Sequence, residues 1–237
     1  LSGDACSSYG APGTITGMPA QAGLVTGCYR YVLTGTDNVG NTVSLTTVVK
    51  VDTSAPAIPS LTLADSSADV HTAGTTAFYR PAGTGSFDVT ASSTDAHSGI
   101  LDYVFPALAG FTGSGSGATK TYTLATPTEA DGAKPVTARN PALLSSGGAD
   151  FTLTADAAAP TGGALTVNGT AATGPGSGSY DIDGSFAIGV RTDYTDAISG
   201  LASSTLTRED GTLSGDACSS YGAPGTITGM PAQAGLV

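Results

Sequence analysis

The first twenty-five residues of this 237-residue chain, Leu1 to Val25 (LSGDACSSYGAPGTITGMPAQAGLV), recur without a change as Leu213 to Val237. The offset is 213 − 1 = 212 residues, so the sequence is one period of a tandem array plus a short overlap. A long unit copied to identity must fold into something that can be strung in series. Fibres, stalks and adhesive surfaces use such copies, whereas an enzyme gains nothing from them.

Composition narrows the choice. The chain is 40% apolar, with 34 Gly, no Trp and only 11% charged residues. It can bury cores for about two domains of a hundred residues each. No run of eighteen apolar residues is present, so no transmembrane helix is expected. The formal charge of −11 comes from Asp and Glu scattered singly, which repels nucleic acid and anionic membranes. Low charge density with abundant Thr, Val, Tyr and Phe predicts folded β-structure rather than disorder.

Shorter echoes place the domains. Asp52-Thr53-Ser54-Ala55-Pro56 and Asp156-Ala157-Ala158-Ala159-Pro160 each follow a β-rich run and precede another. Proline cannot donate to a sheet ladder and holds the preceding residue extended, which suits a short, restrained junction. Thr94-Asp95-Ala96-His97-Ser98-Gly99-Ile100 matches Thr195-Asp196-Ala197-Ile198-Ser199-Gly200-Leu201 at an offset of 195 − 94 = 101. Both read as an Asp-Ser-Gly turn delivering the chain into a strand. The divisions expected are therefore 1–52, the C-terminal part of a domain B; 53–156, a complete domain A; and 157–237, the N-terminal part of the next domain B. Both ends then fall inside a domain B, to be completed by continuing chain or by another molecule.

Strand signals recur at short intervals. Ser86-Phe87-Asp88-Val89-Thr90, Phe151-Thr152-Leu153-Thr154 and Ser185-Phe186-Ala187-Ile188-Gly189-Val190 alternate apolar residues onto one face. Cys28 to Leu33, a turn over Asp37-Asn38-Val39-Gly40-Asn41, and Thr42 to Leu45 predict a hairpin. Tyr29, Tyr31 and Leu33 share one face of it, and Val43, Leu45, Val49 and Val51 share a face of the return strand. No helical period persists over three turns. The fold class expected is all-β, with β-sandwich domains.

Together these features resemble the Ig-like repeat domains of very large bacterial surface proteins. The resemblance rests on the two Asp-to-Pro junctions, on Gly163-Ala164-Leu165-Thr166-Val167-Asn168-Gly169, on Thr195 to Leu201 and on the hairpin from Cys28 through Asn41. It implies tandem Ig-like β-sandwich domains arranged end to end in an elongated array. Domain A departs from the pattern, with Arg139-Asn140-Pro141-Ala142 where Thr36-Asp37-Asn38-Val39 would be expected.

Of the three cysteines, Cys218 is the next copy of Cys6, so the array carries one Cys6–Cys28 type pair per domain B. Its separation of 28 − 6 = 22 residues is too short for the inter-sheet bridge of antibody domains. A staple from a mid-domain loop onto the penultimate strand is expected, worth about 3 kcal/mol in the chain-entropy model. It implies an oxidising, extracellular or cell-surface setting. Cys218 is expected to pair with the Cys28 equivalent of the next copy. Metal or nucleophile roles lack partners at ligand spacing.

His71 and His97 read as solvated loop residues without clustered acids. Asp52, Asp95, Asp156, Asp181, Asp183 and Asp196 fall near expected domain ends, with Asp37 in the hairpin. Of these, Asp52, Asp156, Asp181 and Asp183 are the calcium candidates, although ordinary Asp turn chemistry accounts for them without an ion. Asn168-Gly169-Thr170 is a glycosylation sequon. Lys50, Lys120 and Lys134 show no pattern for a Lys–Asn crosslink. Gly113 to Gly117 reads as a flexible loop, not a nucleophile elbow. No catalytic residues and no cofactor are expected.

The function expected is structural: a repeat segment of an extracellular bacterial surface fibre, stalk or filament. Its partners would be neighbouring repeats of the same polypeptide or identical chains in a fibre. The alternative is an adhesin repeat binding carbohydrate or protein through loops, with Tyr79, Tyr180, Tyr194 and Tyr221 offered for stacking and identical copies giving avidity.

Overall fold

A computed structural model describes residues 1–228; the last nine residues of the second Leu213–Val237 copy lie outside the described residues. Every regular element among the described residues is a strand, and no helix is long and apolar enough to cross a membrane. The all-β expectation holds. The chain divides into two compact units, Leu1–Asp156 and Ala157–Val237.

The first unit opens with the segment Leu1 to Thr26, followed by a hairpin of β1 (Gly27–Thr36) and β2 (Thr42–Val51). Its strands pair over their whole length, with Leu33 opposite Leu45 and Cys28 opposite Lys50. Asp37 closes the turn: Oδ1 accepts the Val39 and Asn41 amides at 2.9 and 2.8 Å, and Oδ2 accepts Asn41 Nδ2 at 2.7 Å. Because opposite residues in a ladder share a face, Tyr29, Tyr31, Leu33, Val43, Leu45 and Val49 line one side. Cys28, Arg30, Thr34, Ser44 and Lys50 line the other.

Nine strands follow. They are β3 (Ser60–Asp65), β4 (Val70–Ala73), β5 (Thr76–Tyr79), β6 (Ser86–Ser92), β7 (Asp102–Val104), β8 (Phe111–Ser114), β9 (Thr119–Leu124), β10 (Gly132–Arg139) and β11 (Ala149–Ala155). They form a four-stranded sheet, β3-β6-β9-β8, and a five-stranded sheet, β4-β5-β11-β10-β7. All pairs are antiparallel except β5 with β11. Alternation in β6 sends Phe87, Val89 and Ala91 inward, and β10 and β11 answer with Val136, Phe151 and Leu153. Phe87 stacks on Tyr122 at 5.3 Å and meets Phe151 edge-on at 6.2 Å. This interdigitated core between two sheets is a β-sandwich arrangement. The buried Tyr122 hydroxyl donates to the Pro106 carbonyl at 2.6 Å, and burial pushes its phenol upward.

The second unit carries β12 (Ala164–Val167), β13 (Thr170–Ala171) and β14 (Ile188–Thr192) in one sheet, ordered β13-β12-β14. Two short pairs follow: β15 (Thr207–Arg208) with β18 (Gly225–Thr226), and β16 (Thr212–Ser214) with β17 (Ala217–Ser219). Asn168 and Gly169, both at positive φ (47° and 71°), make the tight turn between β12 and β13. Among the described residues of this unit, Ile188 is the one buried large apolar side chain. In place of the sandwich expected here, the described residues form one three-stranded sheet and two two-stranded pairs.

Candidate functional site

The most organised polar site lies where β2 hands the chain to β3, at the first Asp-to-Pro junction. Asp52 follows directly on the exposed hairpin, yet it is only 8% exposed. Its Oδ1 accepts the Ser54 amide at 3.0 Å and the Ser54 hydroxyl at 2.8 Å. Its Oδ2 accepts the Ser98 hydroxyl at 2.6 Å and Asn140 Nδ2 at 3.2 Å. With the Ser54 hydroxyl donating to Asp52, its lone pair is left for the Nδ1–H of His97 at 2.9 Å. Burial alone would raise the Asp52 pKa. The bonds from Ser98 and Ser54 and the charge of His97 outweigh it and hold the carboxyl at about 2.

Asn140 is fully buried and ties three strand connections together. Its Nδ2 also donates to the Ser54 carbonyl at 2.9 Å and to Asp95 Oδ2 at 3.2 Å, while Oδ1 accepts the Leu144 amide at 3.0 Å. Asp95 Oδ1 in turn accepts the His97 and Ser98 amides at 2.9 and 3.0 Å. The sequence echo at 195–201 repeats that turn: Asp196 Oδ1 accepts the Ile198, Ser199 and Gly200 amides.

One ligand atom each from Asp52, Asp95 and His97 falls within 4.8 Å of the others. The donor set fits calcium poorly, since calcium takes six to eight oxygens. The Asn140 amide, donating to Asp52, Ser54 and Asp95 at once, supplies the positive hydrogens that a cation would otherwise provide. The arrangement is a hydrogen-bonded lock that closes three chain crossings onto one carboxylate.

This site corrects the reading of His97 as a residue without clustered acids. Asp95 is two positions away, and Asp52 is brought to it across 97 − 52 = 45 positions by the fold. His71 likewise has an acid near it, with Nδ1 at 3.7 Å from Asp65 Oδ2 and its ring over Phe78. Asn140, Ser54 and Ser98 had no local signal as site residues. The clue available was that Arg139-Asn140-Pro141-Ala142 departs from the hairpin pattern at the position of the buried amide.

The remaining candidates are placed as follows. Cys6 and Cys28 form a disulfide with Cα atoms 5.8 Å apart, and Cys218 is free and exposed. The disulfide points to a non-cytoplasmic location. Asp156 donates its amide to the Tyr79 carbonyl at 2.8 Å. Asp181 Oδ2 accepts the Asp183 and Ser185 amides, so this pair does turn chemistry. Asn168 donates Nδ2 to the Tyr180 carbonyl at 3.2 Å. Lys50 bonds Asp4 at 2.7 Å, and Lys134 bonds Glu129 at 2.6 Å. Tyr79 is not an exposed stacking residue: at 3% exposure it belongs to the core, because β5 pairs inside the five-stranded sheet. Tyr180, Tyr194 and Tyr221 are exposed at 71, 51 and 58%. Comparison with protein-family models, curated proteins and solved structures finds no match.

Proposed function

We propose that this chain is a structural repeat segment of an extracellular bacterial surface fibre, stalk or filament, built from alternating Ig-like β-sandwich domains. The observation that carries the reading is the exact 25-residue repeat at an offset of 212 combined with the Asp52 junction. The repeat supplies units to string in series, and the junction ties each hairpin to the sandwich that follows it. Asp52, the first residue after β2, is bonded by Ser54, Ser98 and Asn140. A pull along β2 is therefore met by buried hydrogen bonds to three separate chain crossings rather than by a free linker.

The test is to pull the chain by its ends in a single-molecule force experiment. The expected trace shows one discrete unfolding event for the first unit, with Asn140→Ala lowering its force. Smooth extension without an event would overturn the mechanical role. A second reading, an adhesin repeat binding carbohydrate or protein, is favoured by exposed Tyr180, Tyr194 and Tyr221. Specific, tyrosine-dependent binding on a glycan array would establish it in place of the structural one.

A further inference from the structure

The first unit shows a hairpin packing that the described residues of the second unit do not. Hairpin β10–β11 in the sandwich and hairpin β1–β2 align pair for pair when the β10–β11 connection is taken as one residue longer. Gly132, Lys134 and Val136 face Leu153, Phe151 and Ala149; Tyr29, Tyr31 and Leu33 face Val49, Thr47 and Leu45. Position by position, Val136 corresponds to Leu33 and Leu153 to Val49. Val136 and Leu153 are completely buried, whereas Leu33 is 71% exposed and Val49 46%. The face that builds a core in one hairpin is uncovered in the other.

The second unit shows the complementary deficit. Its β12–β14 pair sets Val167 opposite Ile188, as β3–β6 sets Leu63 opposite Val89. The register then shifts between Thr166 and Val167, so Val190 sits opposite Thr166 on the other face, and Arg191, opposite Leu165, rather than an apolar residue follows Ile188 on its own face. In the sandwich, β10 also pairs with β7 through Thr137–Val104, Ala138–Tyr103 and Arg139–Asp102. By the offset of 101 that relates Thr94 to Thr195, the counterparts of β7 are Ser203, Ser204 and Thr205, which belong to no strand. Ser204 and Thr205 line an open cleft of about 400 Å³ together with Leu165, Arg191 and Tyr194.

The repeat identifies the missing piece. Leu1–Val25 grips its hairpin by the Cys6–Cys28 disulfide, by Asp4 to Lys50 at 2.7 Å, by Tyr9 under the Arg30 guanidinium at 4.4 Å and by Gln21 to Tyr31. The second copy carries the same groups as Asp216, Cys218, Tyr221 and Gln233, and its cysteine is free.

We propose that a second copy of Thr26–Asp52, joined in the order in which the first follows Leu1–Val25, completes the second unit. Its first strand adds antiparallel to Ser203–Thr205. Its Leu33 and Val49 counterparts close over Val167 and Ile188, and its Cys28 counterpart bonds Cys218. The two thiols lose two electrons and two protons to an oxidised disulfide such as glutathione disulfide, which leaves as two thiols. The inference rests on the tandem-array part of the proposed function, not on the array bearing force.

The test extends the full chain after Val237 by a second Thr26–Asp52 and folds it in a glutathione redox buffer. Reactive thiol should fall from one per chain to none, and disulfide mapping should join Cys218 to the added cysteine. Amide exchange in Ala164–Val167 and Ile188–Thr192 should slow by roughly 100-fold as local opening gives way to cooperative unfolding. Leu33→Asp with Val49→Asp in the added copy alone should abolish that protection. A free Cys218 with unchanged exchange in the extended chain would overturn the proposal, as would protection that survives both Asp substitutions. Loss of the force event with these results intact would remove the mechanical role and leave the completed domain standing.

Discussion

Two hairpins that align pair for pair meet different surroundings within the first unit. The β10–β11 hairpin lies in the five-stranded sheet and sends Val136, Phe151 and Leu153 into an aromatic core. The β1–β2 hairpin leaves Leu33, Val43 and Leu45 about 70% exposed, and is held from its polar side by a disulfide, an ion pair and a cation–π contact. Apolar alternation makes a strand with a face to bury, but burial requires a second sheet. Where that sheet is absent, polar and covalent contacts take over the task of fixing the hairpin.

The sharpest way to break the comparison is truncation at matched positions. Leu153→Ala should destabilise the first unit by about 2–5 kcal/mol, whereas Val49→Ala should change it by less than about 0.5 kcal/mol. Denaturant midpoints at constant slope measure both, and equal losses would show that the exposed hairpin is packed in solution. In a chain extended as above, the added copy of Val49 should become sensitive.

Cys28→Ser comes next. Loss of the staple should lower the stability of the hairpin region by about 3 kcal/mol. Hydrogen exchange in the Leu1–Val25 segment should then rise toward that of its second copy, which has no disulfide. Unchanged protection would assign the grip to the Lys50 and Arg30 contacts instead.

Acid probes the junction between the two hairpins. Asp52 holds its carboxyl at about 2 against an ordinary 3.8. Its contribution, about 2 kcal/mol, is therefore fully present above roughly pH 4 and is lost as pH falls through 2. Asp52→Asn should flatten that part of the stability–pH curve. A curve of unchanged shape would place the acid sensitivity elsewhere.

The smallest effect belongs to the exposed Lys50–Asp4 pair. Lys50→Met should cost no more than about 0.5 kcal/mol and vanish in high salt. A double-mutant cycle with Asp4→Asn reads it directly, and a coupling well above 1 kcal/mol would mean that the segment shields the pair from water.

The hairpin of Cys28 to Leu45, the strands at Phe87 and Phe151 and the Asp-Ser-Gly turns were legible because each is written in local alternation or turn chemistry. The Asp52 lock was not, since Asp52, His97 and Asn140 are separated by more than forty residues each, and no local pattern distinguishes a buried junction carboxylate from a turn Asp. Tyr79 failed for a related reason: its neighbours read as a loop edge, and only the parallel pairing of β5 with β11 puts it inside.

The two copies of Leu1–Val25 draw the same line most plainly. Sequence alone established the repeat, the β-class, the strand faces and which cysteines are equivalent, because these depend on identity and on the two-residue period of a strand. The tertiary structure holds the Cys6–Cys28 bond and leaves Cys218 free. It also decided that residues 213–219 form the short β16–β17 pair, whereas the same residues in the first copy carry only a Ser2–Ala5 bridge. A segment so rich in Gly, Ser and Pro buries too little of its own apolar surface to choose a conformation, so its neighbours choose, in the first copy the hairpin and the Ala96 and His97 carbonyls that accept the Gly3 and Asp4 amides.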